Sequence, residues 1–201
     1  MIYFKDKKIV IITPPHVASG NLHKALCTEK HGGIYIMGPT YNDVVDHHYA
    51  RLHTGWTHGV KTRGIGDRGV KVFLVVRNPF DRLYGLYLHQ LVFLDKFMRD
   101  KKKPSFEEFV LTNRPPHWMY HKTISQFVRD NNIEGFEIIR FEGIEQNVSE
   151  AVGEKVSLPP AFHEPNDMRE CYNRKDVFDY VVENWAQEDC EQFSYGLYGV
   201  I

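Results

Sequence analysis

Arg77 stands where an apolar run ends. Residues Val72 to Val76 read as a buried strand, and the chain then passes through Asn78 and Pro79 into a helical pattern carrying a second arginine, Arg82. A charge at the end of such a strand takes a partner, either a protein carboxylate or an anionic ligand. Arginine suits the second: its planar fork matches phosphate oxygens and keeps its proton. Pro79 suits a first helical turn, where no N–H donor is needed, and holds Asn78 extended. Arg82, one turn further on, serves either as a second phosphate ligand or as an ion-pair anchor for its helix.

Two other stretches carry residues of chemical interest. The run "KIVIIT" (8–13) feeds "TPPHVASGNLHKAL" (13–26), where Ala18, Ser19 and Gly20 are small enough for backbone N–H groups to approach a ligand. A helix starting near Asn21 would aim its positive end at that ligand. The same small residues also suit the tight packing of an ordinary first strand-to-helix turn. No GxxxxGK[ST] occurs, which argues against an ordinary nucleotide kinase or ATPase. The second stretch, "VDHHYARLHTGWTH" (45–58), holds His47, His48, His53 and His58. Imidazole titrates in the range needed to take a hydroxyl proton. The spacing of these histidines does not align metal ligands on one helical face, and exposed positions on a polar helix are the alternative.

The elements that must hold these residues follow from periodicity. Four apolar runs read as buried strands: 8–13, 33–38, 70–77 and 136–141. Helical patterns fall at about 21–30, over much of 80–100, at 105–111 and at 118–131. Alternating strands and helices point to an α/β layer structure, a single domain over 1–201 with a central, mainly parallel sheet flanked by helices. In such a sheet ligands sit at the C-terminal strand edge, so the 13–20 turn and Arg77 can converge there. Ser105 and Glu108 spell a capping box, which leaves Lys101 to Lys103 as a solvated turn. Residues 176–192 place Val177, Tyr180, Val181 and Trp185 on one face of an amphipathic helix expected to pack on the sheet.

Composition narrows the classes. With 201 residues, 25 Lys plus Arg, 26 Asp plus Glu and a formal net charge of −1, the chain carries no global field that would attract nucleic acid. Any anion site is therefore a local concentration of donors. The three cysteines, Cys27, Cys171 and Cys190, are far apart and form no CxxC pair, which fits reduced structural thiols. The opening residues hold no long apolar leader and no membrane-length segment follows, so a soluble, cytoplasmic protein is expected.

Several of these stretches together resemble the sulfotransferases. "RNPFDRLYGLY" (77–87) is similar to their RxPxxRxxSxY segment, and "PPHVASGNL" (14–22) occupies the place of their P-K-[TV]-[AG]-[ST]-[TS] loop. The resemblance continues through "HWMYHKTISQFV" (117–128) and "IIRFEGIEQNV" (138–148), then through 163–195, which is like the family's closing helix and D-x-x-x-F-x-Y end. It covers nearly the whole chain in order and is nearest the carbohydrate-type branch.

The resemblance implies a P-loop-NTPase-like sulfotransferase fold and transfer of a sulfuryl group from 3′-phosphoadenosine 5′-phosphosulfate to a hydroxyl acceptor such as a sugar. No metal is required by that scheme. It implies a donor site built from His16, Val17, Ala18, Ser19, Gly20 and Asn21, with Arg77 and the position of Gly85 on the 3′-phosphate. It also implies a general base at His48, or else His47. Two residues depart from the pattern. His16 replaces the family's leaving-group lysine, and an ordinary imidazole pKa of about 6.5 leaves it mostly neutral near pH 7. Gly85 replaces a serine, removing a hydrogen bond worth about 1.5–3 kcal/mol. Tyr84 could compensate, or a residue of the 163–174 segment that closes over the donor in the family, with Arg169 the first candidate there and Arg174 the second. These departures keep open a degenerate member that binds a nucleotide or glycan without turnover. Acceptor pockets in such proteins come from variable loops, here 39–69 and 95–117, with Trp56 and Trp118 able to stack on a sugar.

Overall fold

The computed structural model describes residues 1–35, 69–97, 102–111, 122–131, 133–159 and 171–196. Its strands form one five-stranded sheet in the order β3-β1-β2-β4-β5: β1 Ile2–Phe4, β2 Ile9–Ile12, β3 Ile34–Tyr35, β4 Lys71–Val76 and β5 Phe136–Arg140. The pairs β2–β4 and β4–β5 are parallel, while β1 runs antiparallel to both β2 and β3. The sheet is thus mixed, where the sequence pointed to a mainly parallel one. The cause is local: the exposed residues 5–8 are too few for a crossover, so β1 and β2 close as a hairpin. The central strand behaves as its apolar run requires, with Val72 to Val76 all buried.

The described residues group into two compact units within the span read as one domain, Met1–Arg77 with Gln126–Phe162, and Asn78–Ser125 with His163–Ile201. The first unit holds the sheet, α1 (Ser19–Leu26) and α5 (Ile144–Val152). Leu22, Leu26 and Val148, from these two helices, are all fully buried. Each such side chain contributes about 1.5–3 kcal/mol by leaving water. Helix α5 went unread in the sequence, although Ile144, Val148 and Val152 recur every four residues. Its ends are set by Gly143 and Gly153, whose φ values of 79° and 76° favour glycine.

The second unit is built on α2 (Pro79–Phe97), α3 (Phe106–Leu111), α6 (Lys175–Val181) and α7 (Gln187–Phe193). Its core joins Phe80, Leu83, Leu86, Phe106, Phe109 and Val177. Tyr172 packs edge-on against Phe80, with centroids 5.2 Å apart, and donates its hydroxyl to the Phe80 carbonyl at 2.7 Å. The closing helix is more than one regular stripe. A π-helical segment, Val182–Ala186, inserts between α6 and α7 and shifts the buried face from Val177 and Val181 to Ala186, Cys190 and Phe193. Tyr180, expected on the buried face, is exposed: it lies in α6 ahead of the π-helical segment, beside the stripe that Val177 and Val181 bury. The buried stripe enters the core shared with α2 and α3. Helix α4 (Ile124–Asp130) is capped from α7: Asp189, fully buried, accepts from the Ile124 and Ser125 amides at 2.9 and 2.7 Å.

None of the three cysteines is in a disulfide, and burial pushes the Cys190 thiol up to about 11. No helix among the described residues is long and apolar enough to cross a membrane.

Candidate anion-binding site

The parallel register of β2 and β4 pairs Ile12 with Leu74, so both strands end at one edge of the sheet. From that edge the chain leaves β2 through Thr13 to Ala18 before α1 begins. Thr13, Pro14, Pro15 and Val17 are all buried, and Val17 is fully so, which pins the loop to the core from inside. His16 and Ala18 adopt left-handed backbone, with φ of 63° and 59°. Such a conformation costs a residue with a Cβ roughly 1–2 kcal/mol, and it persists only where the surroundings impose it. Left-handed residues alternating with others turn successive N–H groups toward a common point, the geometry of a backbone anion nest.

Helix α1 continues that geometry. Ala18 is its N-cap, with its carbonyl accepting from the Leu22 amide at 3.0 Å, and no described side chain caps the first turn. The first N–H groups of a helix have no partner within it and draw negative charge. Gly20 is exposed, and a Cβ built there meets nothing within 4 Å. Tight packing does not account for this glycine, whereas an open backbone surface allows close approach of a ligand.

Arg77 has its partner. Its Nη1 donates to the carbonyl of His16 at 3.1 Å, and its guanidinium carbon lies 4.1 Å from the centre of the Phe141 ring. The ring is held in place because the Phe141 amide donates to the Val76 carbonyl at 2.8 Å. A half-buried arginine stacked on an aromatic face and bonded to a carbonyl is fixed in direction. It brings positive charge to the loop and braces one of its strained residues.

The remaining expected residues separate into groups. The Nε2 of His16 is closed off from solvent, and its carbonyl accepts from Arg77. Ser19 opens α1. Asn21 donates to the Pro159 carbonyl at 3.4 Å and so ties α1 to the segment that follows α5. Gly85 lies in α2, in the second unit, while Arg77 belongs to the first. Arg82 is buried and donates from Nη2 to the Lys122 carbonyl at 2.9 Å, a main-chain contact within the second unit. Arg174 is exposed and paired with Asp176 at 2.6 Å. The capping box is present, with Ser105 and Glu108 exchanging bonds of 3.0 and 3.1 Å, and Lys102 pairs with Glu108. His47, His48, His53, His58, Trp56, Trp118 and Arg169 lie outside the described residues.

Three residues of this neighbourhood were missed in the sequence. Asn78 caps α2, its Oδ1 accepting from the Phe80 and Asp81 amides at 2.9 and 3.4 Å. An asparagine directly before a proline and a helical pattern is a readable signal for that role. Phe141 was readable as the last residue of the apolar run 136–141 that reads as a strand, directly after β5 ends at Arg140. His23, whose Nε2 lies 3.4 Å from the Thr13 hydroxyl, carried no signal.

Among the described residues no group of histidine, cysteine and carboxylate side chains is placed to hold a metal ion. The chain matches no protein-family model, no curated protein and no solved structure.

Proposed function

We propose that the chain is a sulfotransferase with a P-loop-NTPase-like fold, moving the sulfuryl group of 3′-phosphoadenosine 5′-phosphosulfate to a hydroxyl acceptor, with carbohydrates the first class to try. One observation carries this reading: Arg77, at the end of one parallel strand, is bonded to a strained loop that leaves the neighbouring parallel strand and opens a helix. The loop supplies oriented N–H groups and Arg77 supplies fixed charge. Two phosphate-bearing ends of one donor need such a pair of anion contacts.

In this reading the acceptor oxygen attacks sulfur in line. A new S–O bond forms as the bond from sulfur to the 5′-phosphate oxygen breaks. His48, or failing that His47, takes the acceptor proton. The N–H groups of residues 16–20 meet the charge that builds on the departing phosphate, so catalysis is mostly positioning and electrostatics. His16 would assist the same oxygen if its ring turns toward it. Comparing turnover against pH for the native chain and His16→Lys tests that role, and identical profiles remove His16 from the mechanism. Arg169 would supply the 3′-phosphate contact that Gly85 cannot.

A second reading, a donor-binding protein without turnover, is favoured by the closed-off Nε2 of His16 where the family has a lysine. The deciding experiment is release of 3′,5′-bisphosphoadenosine from the phosphosulfate donor in the presence of a panel of sugar hydroxyl acceptors, run beside calorimetric titration with the bisphosphate and with ATP. Acceptor-dependent release supports the transferase. Bisphosphate-selective binding without release supports the second reading. Equal or absent binding of both nucleotides removes both.

A further inference from the structure

Thr13 closes β2 with a fully buried side chain, and a buried hydroxyl requires a partner. Its Oγ1 lies 3.4 Å from Nε2 of His23 on α1. This contact joins the two sides of the loop: Thr13 stands where the chain leaves the strand, and His23 stands four residues past Ser19, on the same face of the helix. Arg77 holds the middle of the loop through the His16 carbonyl. Between these supports lie the two left-handed residues, His16 and Ala18, whose strain persists only if the flanking structure fixes both ends.

We propose that His23 is a positioning residue of this site: together with Thr13 it sets the angle at which α1 leaves β2, and thereby the point on which the N–H groups of residues 16–20 converge. The proposal rests on the reading of the loop as the cradle of the donor's phosphosulfate. His23 acts through Thr13 and the helix and contacts no reacting atom.

Thr13→Val and His23→Leu remove the contact while keeping bulk. Thr13→Ser and His23→Gln keep a hydrogen-bonding group in each place. Each variant is titrated with 3′,5′-bisphosphoadenosine, and amide exchange at residues 17–20 is followed in the ligand-free proteins. The Val and Leu variants are expected to weaken binding about 3–10-fold, the size of one lost hydrogen bond. The double variant should bind no more weakly than the weaker single, because the two side chains act as one unit. The Ser and Gln variants should recover native affinity. Exchange at 17–20 should quicken in Thr13→Val while α5 stays unchanged. Native affinity in both the Val and Leu variants, losses that add in the double variant, or no recovery by Ser and Gln would each overturn the proposal. If the native chain binds no bisphosphate, the proposed function falls and the exchange measurement decides this inference alone, with equal exchange in the native chain and Thr13→Val overturning it.

Discussion

The β2–α1 and β4–α2 turns both lead from a sheet strand into a helix, yet they treat the helix start in opposite ways. At α2 the chain closes the start itself: Asn78 Oδ1 takes up the Phe80 and Asp81 amides, and Pro79 has no N–H to satisfy. At α1 no described side chain does this, and two residues with a Cβ are held in left-handed backbone just before it. The first donors of α2 are taken up by its own cap, while the residues that lead into α1 are held in strained backbone. In the proposed reading, the β4–α2 turn offers an anion a side chain, Arg77, whereas the β2–α1 turn offers main-chain N–H groups.

Substitutions can break or sharpen this contrast. The largest effect is expected from Arg77→Ala, which removes the charge and releases the His16 carbonyl together. Affinity for 3′,5′-bisphosphoadenosine, measured by calorimetry, should fall about 100-fold, or about 3 kcal/mol. Arg77→Lys should recover little, because an ammonium neither stacks flat on Phe141 nor presents a fork. Full recovery by lysine would reduce Arg77 to a point charge. Next comes Asn78→Ala, expected to lower stability in thermal unfolding by about 1 kcal/mol for the lost cap while leaving bisphosphate affinity unchanged. A parallel loss of affinity would mean that the capped turn also serves the ligand.

Smaller effects test the strain. Ala18→Gly should stabilise the chain by up to about 1 kcal/mol, since glycine adopts left-handed backbone freely. Ala25→Gly, in the last turn of α1, should destabilise it by up to about 1 kcal/mol. If both changes destabilise equally, position 18 is not strained. The smallest effect concerns acid. Glu108 caps α3, and the Ser105 amide and then the Lys102 ammonium hold its carboxyl below the ordinary value of 4.5. The folded pKa is depressed, so this contribution is present above pH 4.5 and is lost as pH falls through the folded value. Helix α1 has no acidic residue in its first turn. Protection against amide exchange, relative to the intrinsic rate at each pH, should therefore fall between pH 5 and 3 at Ser105 and not at residues 19–21, and Glu108→Gln should abolish the difference.

The parts of the fold legible in the sequence were those where one local rule dominates. Val72 to Val76 could only be a covered strand, and Ser105 with Glu108 could only be a reciprocal cap. The mixed sheet was less legible, because the direction of β1 depends on the length of a hairpin turn rather than on any apolar pattern. The π-helical shift at Val182–Ala186 was hidden because it changes the phase of a stripe without changing its composition. At the site, the small residues of the first turn and the arginine of the second announced themselves by type. Their bond through the His16 carbonyl did not, since a main-chain acceptor leaves no trace in residue identity. Asn78 shows the converse case: an asparagine directly before a proline and a helical pattern spells its cap in residue type alone.

Amide chemical-shift mapping during titration with 3′,5′-bisphosphoadenosine tests most directly which turn receives phosphate. The largest shifts should fall on residues 16–20, with the side-chain N–H groups of Arg77 moving at the same ligand concentrations, while Phe80 and Asp81 stay still. Shifts centred on Phe80 and Asp81, or none anywhere at saturating bisphosphate, would contradict the assignment of the β2–α1 loop and Arg77 as the anion site.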